Sequence, residues 1–106
     1  MEEWIKRETI YNGRIFDVEV GKAVQEDGRV VPREIVTHDG GIAIVPILDD
    51  HVLLIRQFRI AVGESILELP AGRREGAEAP DHRAALELQE ETGYRAGQLQ
   101  LLAAYY

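Results

Sequence analysis

Three carboxylates, Glu87, Glu90 and Glu91, stand within five residues of one another in the run Leu86-Glu87-Leu88-Gln89-Glu90-Glu91-Thr92-Gly93. At about 100° per residue they fall within roughly one third of a helix circumference, with Arg83 beside them. Ala85, Leu88 and Thr92 take the other side and Ala84 lies at the border. Glutamates packed this closely repel one another unless cations neutralise them, and the C-terminal end of a helix is already negative. A solvated acidic face is one reading, because surface helices are rich in glutamate. The other is a site for a hard cation. Oxygen ligands suit Mg²⁺ or Mn²⁺, which keep several waters and bridge to phosphate oxygens.

The helix that would carry this face has clear ends. Pro80 suits a first helical position, Asp81 adds negative charge to the first turn, and Gly93 is a natural C-terminal stop, which predicts a helix over Pro80 to Thr92. Upstream, short runs rich in β-branched and aromatic residues are broken by Asn12-Gly13, Asp27-Gly28, Asp39-Gly40-Gly41 and Asp49-Asp50. These turn signals predict an antiparallel meander of Trp4–Tyr11, Arg14–Val24 and Arg29–Thr37. Gly41–Leu48 and His51–Phe58 are more continuously apolar, as expected of central strands covered on both faces. Ser65–Leu69 reads as a further strand, Arg73–Ala79 as a loop, and Leu99–Tyr106 as a final strand.

One domain accounts for 106 residues, and 45% hydrophobic with 29% charged residues is a globular composition. Nineteen acidic against twelve basic side chains give a charge of −7, which repels nucleic acid. The absence of cysteine removes disulfides, thiolate metal sites and a cysteine nucleophile. The longest nearly apolar run, Gly40 to Leu48, is far short of the roughly 20 residues of a membrane helix, and the start shows no apolar signal core. The expectation is a cytoplasmic protein without membrane or nucleic-acid partners. His38, His51 and His82 lie in separate segments without ligand spacing, and Ser65 lacks a nucleophile setting.

Gly72, five residues, Glu78, seven residues and then Leu86 to Tyr94 resemble the signature of the Nudix hydrolases, G-x5-E-x7-R-E-U-x-E-E-x-G-U with U apolar. Gly93 fills its last glycine. The departure is Leu86, where the family has an arginine that anchors the loop-helix and orients its glutamates. Arg83, one turn earlier on the same side, is the candidate to take over part of that role. Within the family, Arg56-Gln57-Phe58-Arg59, Ala61-Val62-Gly63 and Leu67 to Gly72 resemble ADP-ribose pyrophosphatases, as do Tyr11 to Ile15 and Arg33 to His38.

The resemblance implies an α/β/α sandwich of Nudix type: N-terminal antiparallel strands, a mixed central sheet and one Nudix loop-helix. It implies a single domain over 1–106, with a meander over 1–40 and a core over 41–106 that is C-terminally short of its relatives. It further implies that the Ala71 carbonyl, Glu87 and Glu91 hold Mg²⁺ or Mn²⁺, with Glu90 and Glu75 nearby through water or a further ion. Arg59 would bind the diphosphate or terminal ribose, and Glu34 and Ile15 would touch the adenine end. The implied activity is hydrolysis of ADP-ribose or a related nucleoside-diphosphate sugar to AMP, or another nucleoside monophosphate, and a sugar phosphate, by a homodimer. A nucleotide-binding or regulatory module without turnover is the alternative, suggested by Leu86. The chemistry is coherent: divalent ions neutralise a diphosphate and activate water, Arg59 offers a planar fork to phosphate, and Gly72 would let the backbone turn sharply to present the Ala71 carbonyl.

Overall fold

A computed structural model describes all residues from Met1 to Tyr106, which divide into two compact units, Met1–Asp39 and Gly40–Tyr106. The first is the expected meander. Strands β1 (Glu3–Asn12), β2 (Phe16–Val24) and β3 (Val30–His38) form an antiparallel sheet in the order β1-β2-β3. The Asp27-Gly28 signal closes β2 onto β3: Gly28 N–H donates to the Gln25 carbonyl, and Gly28 takes the left-handed φ of 83° that favours glycine. Both outer strands carry features that suit an edge. In β1 the register slips at Ile5 and at Ile10, which stand unpaired in two bulges, and β3 contains Pro32, which has no N–H to give to a ladder. At the first bulge the Lys6 carbonyl lies 2.1 Å from where a β-carbon on Gly21 would stand, so only glycine fits there. Ala23 is the one fully covered apolar residue of this sheet, whereas Ile10, Tyr11 and Val36 are more than half exposed.

The second unit pairs its strands in three antiparallel ladders: β4 (Gly41–Ala43) with β9 (Ala71–Arg73), β5 (Ile47–Leu48) with β6 (His51–Val52), and β7 (Ile55–Arg59) with β8 (Glu64–Glu68). The expected continuous strand Gly41–Leu48 is therefore interrupted, and Pro46 within it lacks the donor that a continuous ladder needs. His51–Phe58 is likewise split at Leu53-Leu54. Neither run is covered on both faces, since Ile47, Val52 and Leu54 remain substantially exposed. The helix α1 runs Pro80–Thr92 and packs on β9 and β4. Its buried residues, Ala84 and Leu88, lie one turn apart, and Ile44, Pro46 and Pro70 are the other buried residues of this unit. Gly93 ends it at φ 78°, with its N–H on the Gln89 carbonyl.

Two expectations fail. Leu99–Tyr106 forms no strand and joins no ladder, and Tyr105 and Tyr106 are exposed. A lone extended segment has no ladder to satisfy its backbone. Conversely, Ala71–Arg73, where a sharp turn at Gly72 and a loop from Arg73 were expected, is a strand because Gly40 to Ile44 offers it a partner edge.

The β5–β6 turn places Asp49 and Asp50 at φ 50° and 62°, the left-handed pair of a two-residue hairpin loop. Replacing Asp50 by glycine should remove the steric penalty of that conformation and raise the unfolding free energy by about 0.5–1 kcal/mol. Urea unfolding of the two proteins measures it, and a loss of stability would contradict the turn geometry.

Candidate functional site

The core of α1 determines which glutamates turn inward. On the helical wheel Glu87 and Glu91 flank the buried Ala84 and Leu88, so docking that stripe on β4 and β9 brings both carboxylates against the Ala71-Gly72 backbone. Glu91 Oε2 accepts the Ala71 N–H at 2.9 Å, and Gln57 Nε2 approaches Glu91 Oε1 at 3.5 Å. Glu87 lies so close to Gly72 that a β-carbon there would stand 2.2 Å from its Cδ and Oε1. Gly72 does not have a left-handed φ. Its lack of a side chain serves close approach inside a strand, not the sharp turn expected of it. Glu90 instead points to solvent and makes no hydrogen bond with the protein. The single acidic face of the sequence reading is thus two inward glutamates and one outward.

The Ala71 carbonyl faces away from the β4–β9 ladder. The ladder bonds of β4 and β9 join Gly40 to Arg74 and Ile44 to Pro70. Alternate residues turn their N–H and C=O to opposite edges of a strand, so Ala71 directs both groups away from β4, on the side where Glu91 takes the N–H. Glu75 is exposed in the loop after β9, where its carbonyl accepts the Glu78 N–H at 3.4 Å, and its charge is near enough to Arg83 to help hold the Arg83 proton. The structure gathers no cluster of three or more His, Asp or Glu side chains around one point. A cation between the helix and β9 would have two carboxylates and one carbonyl as its protein donors. That chemistry fits Mg²⁺, which is commonly held by one or two carboxylates together with water and substrate phosphates.

Glu78, the first glutamate of the motif, is held by Arg83. Arg83 Nε and Nη2 donate to its two oxygens at 2.8 and 3.2 Å, and Nη1 donates to Glu87 Oε1 at 3.2 Å. The bonds to Glu78 first, and then the one to Glu87, raise the Arg83 pKa above its ordinary value. Leu86 is half-buried. His82 Nε2 lies 3.7 Å from Glu78.

Arg59 sits at the end of β7, where its guanidinium makes a two-bond fork to Glu68 on β8, at 2.8 and 2.7 Å. The pair raises the pKa of Arg59 and lowers that of Glu68, and the charge of Glu91 contributes to the former. Gln57, Arg59 and Glu68 share one face of the hairpin, because residues two apart along a strand point the same way and Ile55 pairs with Glu68. Glu68 and Gln57 were missed by the sequence reading. The run Ile55-Arg56-Gln57-Phe58-Arg59 does not alternate apolar with polar and so gives no signal of that face, which the structure shows as half-buried Ile55 and Gln57 between exposed Arg56 and Phe58. The other expected residues lie in the first unit. Glu34 is exposed on β3 opposite Val20, and Ile15 is exposed between β1 and β2. Arg33 is tied to Glu2. A surface hollow by Glu2, Gln25 and Arg29 contains none of the predicted residues.

Comparison with known proteins agrees with this architecture. The NUDIX domain model matches residues 37–106, and the chain belongs to the Nudix family. It is 37% identical over 106 residues to an ADP-ribose pyrophosphatase of Bacillus subtilis, covering 99% of this chain and 57% of that protein. It is 38% identical over 102 residues to an ADP-ribose pyrophosphatase of Mycobacterium tuberculosis, covering 94% and 49%. A methanol dehydrogenase activator of Bacillus methanolicus is 36% identical over 105 residues, covering 98% and 57%. The crystal structure of an ADP compounds hydrolase superimposes with a TM-score of 0.79 at 29% identity, covering 92% of this chain and 54% of that one. The chain spans about half the length of the curated relatives it matches. The fold is the Nudix fold, with its antiparallel N-terminal strands and loop-helix; the ladders of its second unit are all antiparallel, where a mixed central sheet was expected. No helix is long and apolar enough to cross a membrane.

Proposed function

We propose that this chain takes part in metal-dependent hydrolysis of the diphosphate of ADP-ribose or a related nucleoside-diphosphate sugar, giving AMP, or another nucleoside monophosphate, and a sugar phosphate. The observation that carries the reading is the convergence of Glu87 and Glu91 on the Ala71-Gly72 backbone. Mg²⁺, or Mn²⁺, held by the two carboxylates and the Ala71 carbonyl would neutralise the diphosphate and lower the pKa of an attacking water. Glu90, free and solvent-facing, and Glu75 in the loop are then available to a bound water or a further ion. Glu78 and Gly93 set the two ends of the loop-helix. The test is direct: purified chain, ADP-ribose and Mg²⁺, an EDTA control, and chromatography for AMP.

In this reading Arg59 exchanges its internal partner for a phosphate. Its fork to Glu68 leaves the guanidinium about half exposed, so an anionic substrate can compete for it. Arg59→Ala should weaken ADP-ribose binding roughly 10- to 100-fold, the range for a charged hydrogen bond, and leave the fold standing. Calorimetry showing unchanged affinity would remove Arg59 from the site.

The alternative, a nucleotide-binding or regulatory module without turnover, is favoured by Leu86 at the arginine position. ADP-ribose binding in the calorimeter with no AMP in the chromatogram would establish it. A homodimer in the cytoplasm completes the proposal, supported by the apolar residues that the first sheet exposes, among them Ile10 and Val36. Sedimentation equilibrium giving the monomer mass at micromolar protein would remove the dimer.

A further inference from the structure

We infer that Arg83 is the positioning residue for Glu87 in this chain, and that it replaces, from three residues earlier, the arginine that the Nudix signature has at the Leu86 position. The inference rests on the metal reading above only for the consequence of that positioning, not for the contact itself.

The contact is more than a surface ion pair. Arg83, Glu78 and Glu87 have side chains only 16%, 18% and 14% exposed, and three guanidinium donors are engaged by two carboxylates. One partner lies in the loop and the other on the helix, so the guanidinium joins two segments that carry the motif. Glu87 is confined from both sides, by Arg83 at one oxygen and by the bare backbone of Gly72 against its carboxylate. A lone Arg-to-Glu pair in this i,i+4 order is the weaker orientation for helix stability, so a merely helix-stabilising role explains the arrangement poorly.

Helical geometry explains why position 83 can do this. Side chains on a helix lean toward its N-terminus. From the first turn, Arg83 reaches back to Glu78 just before the helix, and Glu87 leans back one turn onto Arg83. Position 86 is about 4.5 Å further along the axis and rotated by roughly 60°, and its leucine is half-buried. A second arginine fastens the same loop: Arg74 Nη2 reaches the Glu78 carbonyl at 3.4 Å, although its Nε has no partner. Arg74 holds the backbone, whereas the Glu78 carboxylate and Glu87 are left to Arg83.

The experiment compares the parent chain, Arg83→Gln and the double variant Arg83→Gln/Leu86→Arg, each checked for folding by circular dichroism, with Arg83→Lys as a second single variant. The first readout needs no metal: the ¹³C shift of the Glu87 carboxylate should move in Arg83→Gln and return toward the parent value in the double variant. The second is Mn²⁺ affinity by electron paramagnetic resonance. If Arg83 positions Glu87, Arg83→Gln should weaken Mn²⁺ binding about tenfold and the double variant should recover to within about threefold. Arg83→Lys, which keeps the charge and loses the fork, should fall in between. If Arg83 were only a counter-ion, deleting its charge would strengthen Mn²⁺ binding, so an increase or no change in Arg83→Gln overturns the inference. A parent chain that binds no Mn²⁺ ends the metal reading, and the metal-free Glu87 shift then decides the positioning alone: an unmoved shift in Arg83→Gln overturns it.

Discussion

Millimolar Mg²⁺ or Mn²⁺ should raise the thermal midpoint of this chain, and Glu87→Gln and Glu91→Gln should each abolish most of that gain. A ligand that binds only the folded state stabilises it by RT ln(1 + [L]/Kd), about 1.4 kcal/mol at ten times Kd. For a domain of this size that corresponds to roughly 5–10 °C. Both glutamates lie on the inward side of α1, against the strand whose Ala71 carbonyl is directed away from the ladder, so neither can be replaced by Glu90, which faces solvent. The two variants should differ without metal. Glutamine at 91 can still accept the Ala71 N–H but loses the charge assistance, a cost of about 1 kcal/mol, whereas glutamine at 87 gives up an ionic partner of Arg83. Scanning calorimetry with and without EDTA reads all of this. A parent midpoint that ignores the metal counts against any cation at Glu87 and Glu91.

The same residues show what a sequence can reveal. The helix from Pro80 to Thr92 and its glycine stop were legible because caps, proline and glycine act through their own backbone angles, whatever packs nearby. The hairpin turns at Asp27-Gly28 and Asp49-Asp50 were legible for that reason too, whereas Asn12-Gly13 marks the β1–β2 turn without a left-handed φ. Facts that depend on a distant partner were not. Ala71–Arg73 becomes a strand only because Gly41–Ala43 lies beside it. The inward face of α1 was misjudged by some tens of degrees, because the wheel alone treats Ala84 as a border, whereas the surface of β4 and β9 takes Ala84 and Leu88 as its contact. That rotation separates Glu90 from its neighbours. Glu68, the partner of Arg59, is nine residues away in sequence and adjacent only once β7 and β8 pair. The motif spacing, by contrast, picked out Gly72, Glu78, Glu87 and Glu91, which the structure brings together around Arg83 and the Ala71-Gly72 backbone, although the physical reason for Gly72 turned out to be a different one.

That reason makes Gly72→Ala the sharpest test of the site. Alanine is compatible with the backbone of Gly72, which sits in β9 opposite Ile42 without a left-handed φ. The added methyl would stand 2.2 Å from Cδ and Oε1 of Glu87 and 2.6 Å from its Cγ. These atoms belong to the far end of a flexible side chain, so the clash can be relieved by moving Glu87 alone, at the low end of the roughly 1–3 kcal/mol typical of overpacking. Moving Glu87, however, takes its carboxylate away from the Gly72 backbone and from Arg83 Nη1. The expected result is a folded protein, destabilised by about 1 kcal/mol, whose metal-induced rise in midpoint is lost. Adding Glu87→Ala to Gly72→Ala removes the clash, so the metal-free stability of the double variant should exceed the sum of the single effects, as expected for residues in contact. Urea unfolding and calorimetry with Mg²⁺ measure both quantities. Strict additivity would mean that Gly72 and Glu87 do not touch, and an undiminished metal response in Gly72→Ala would place the cation somewhere other than between the helix and this strand.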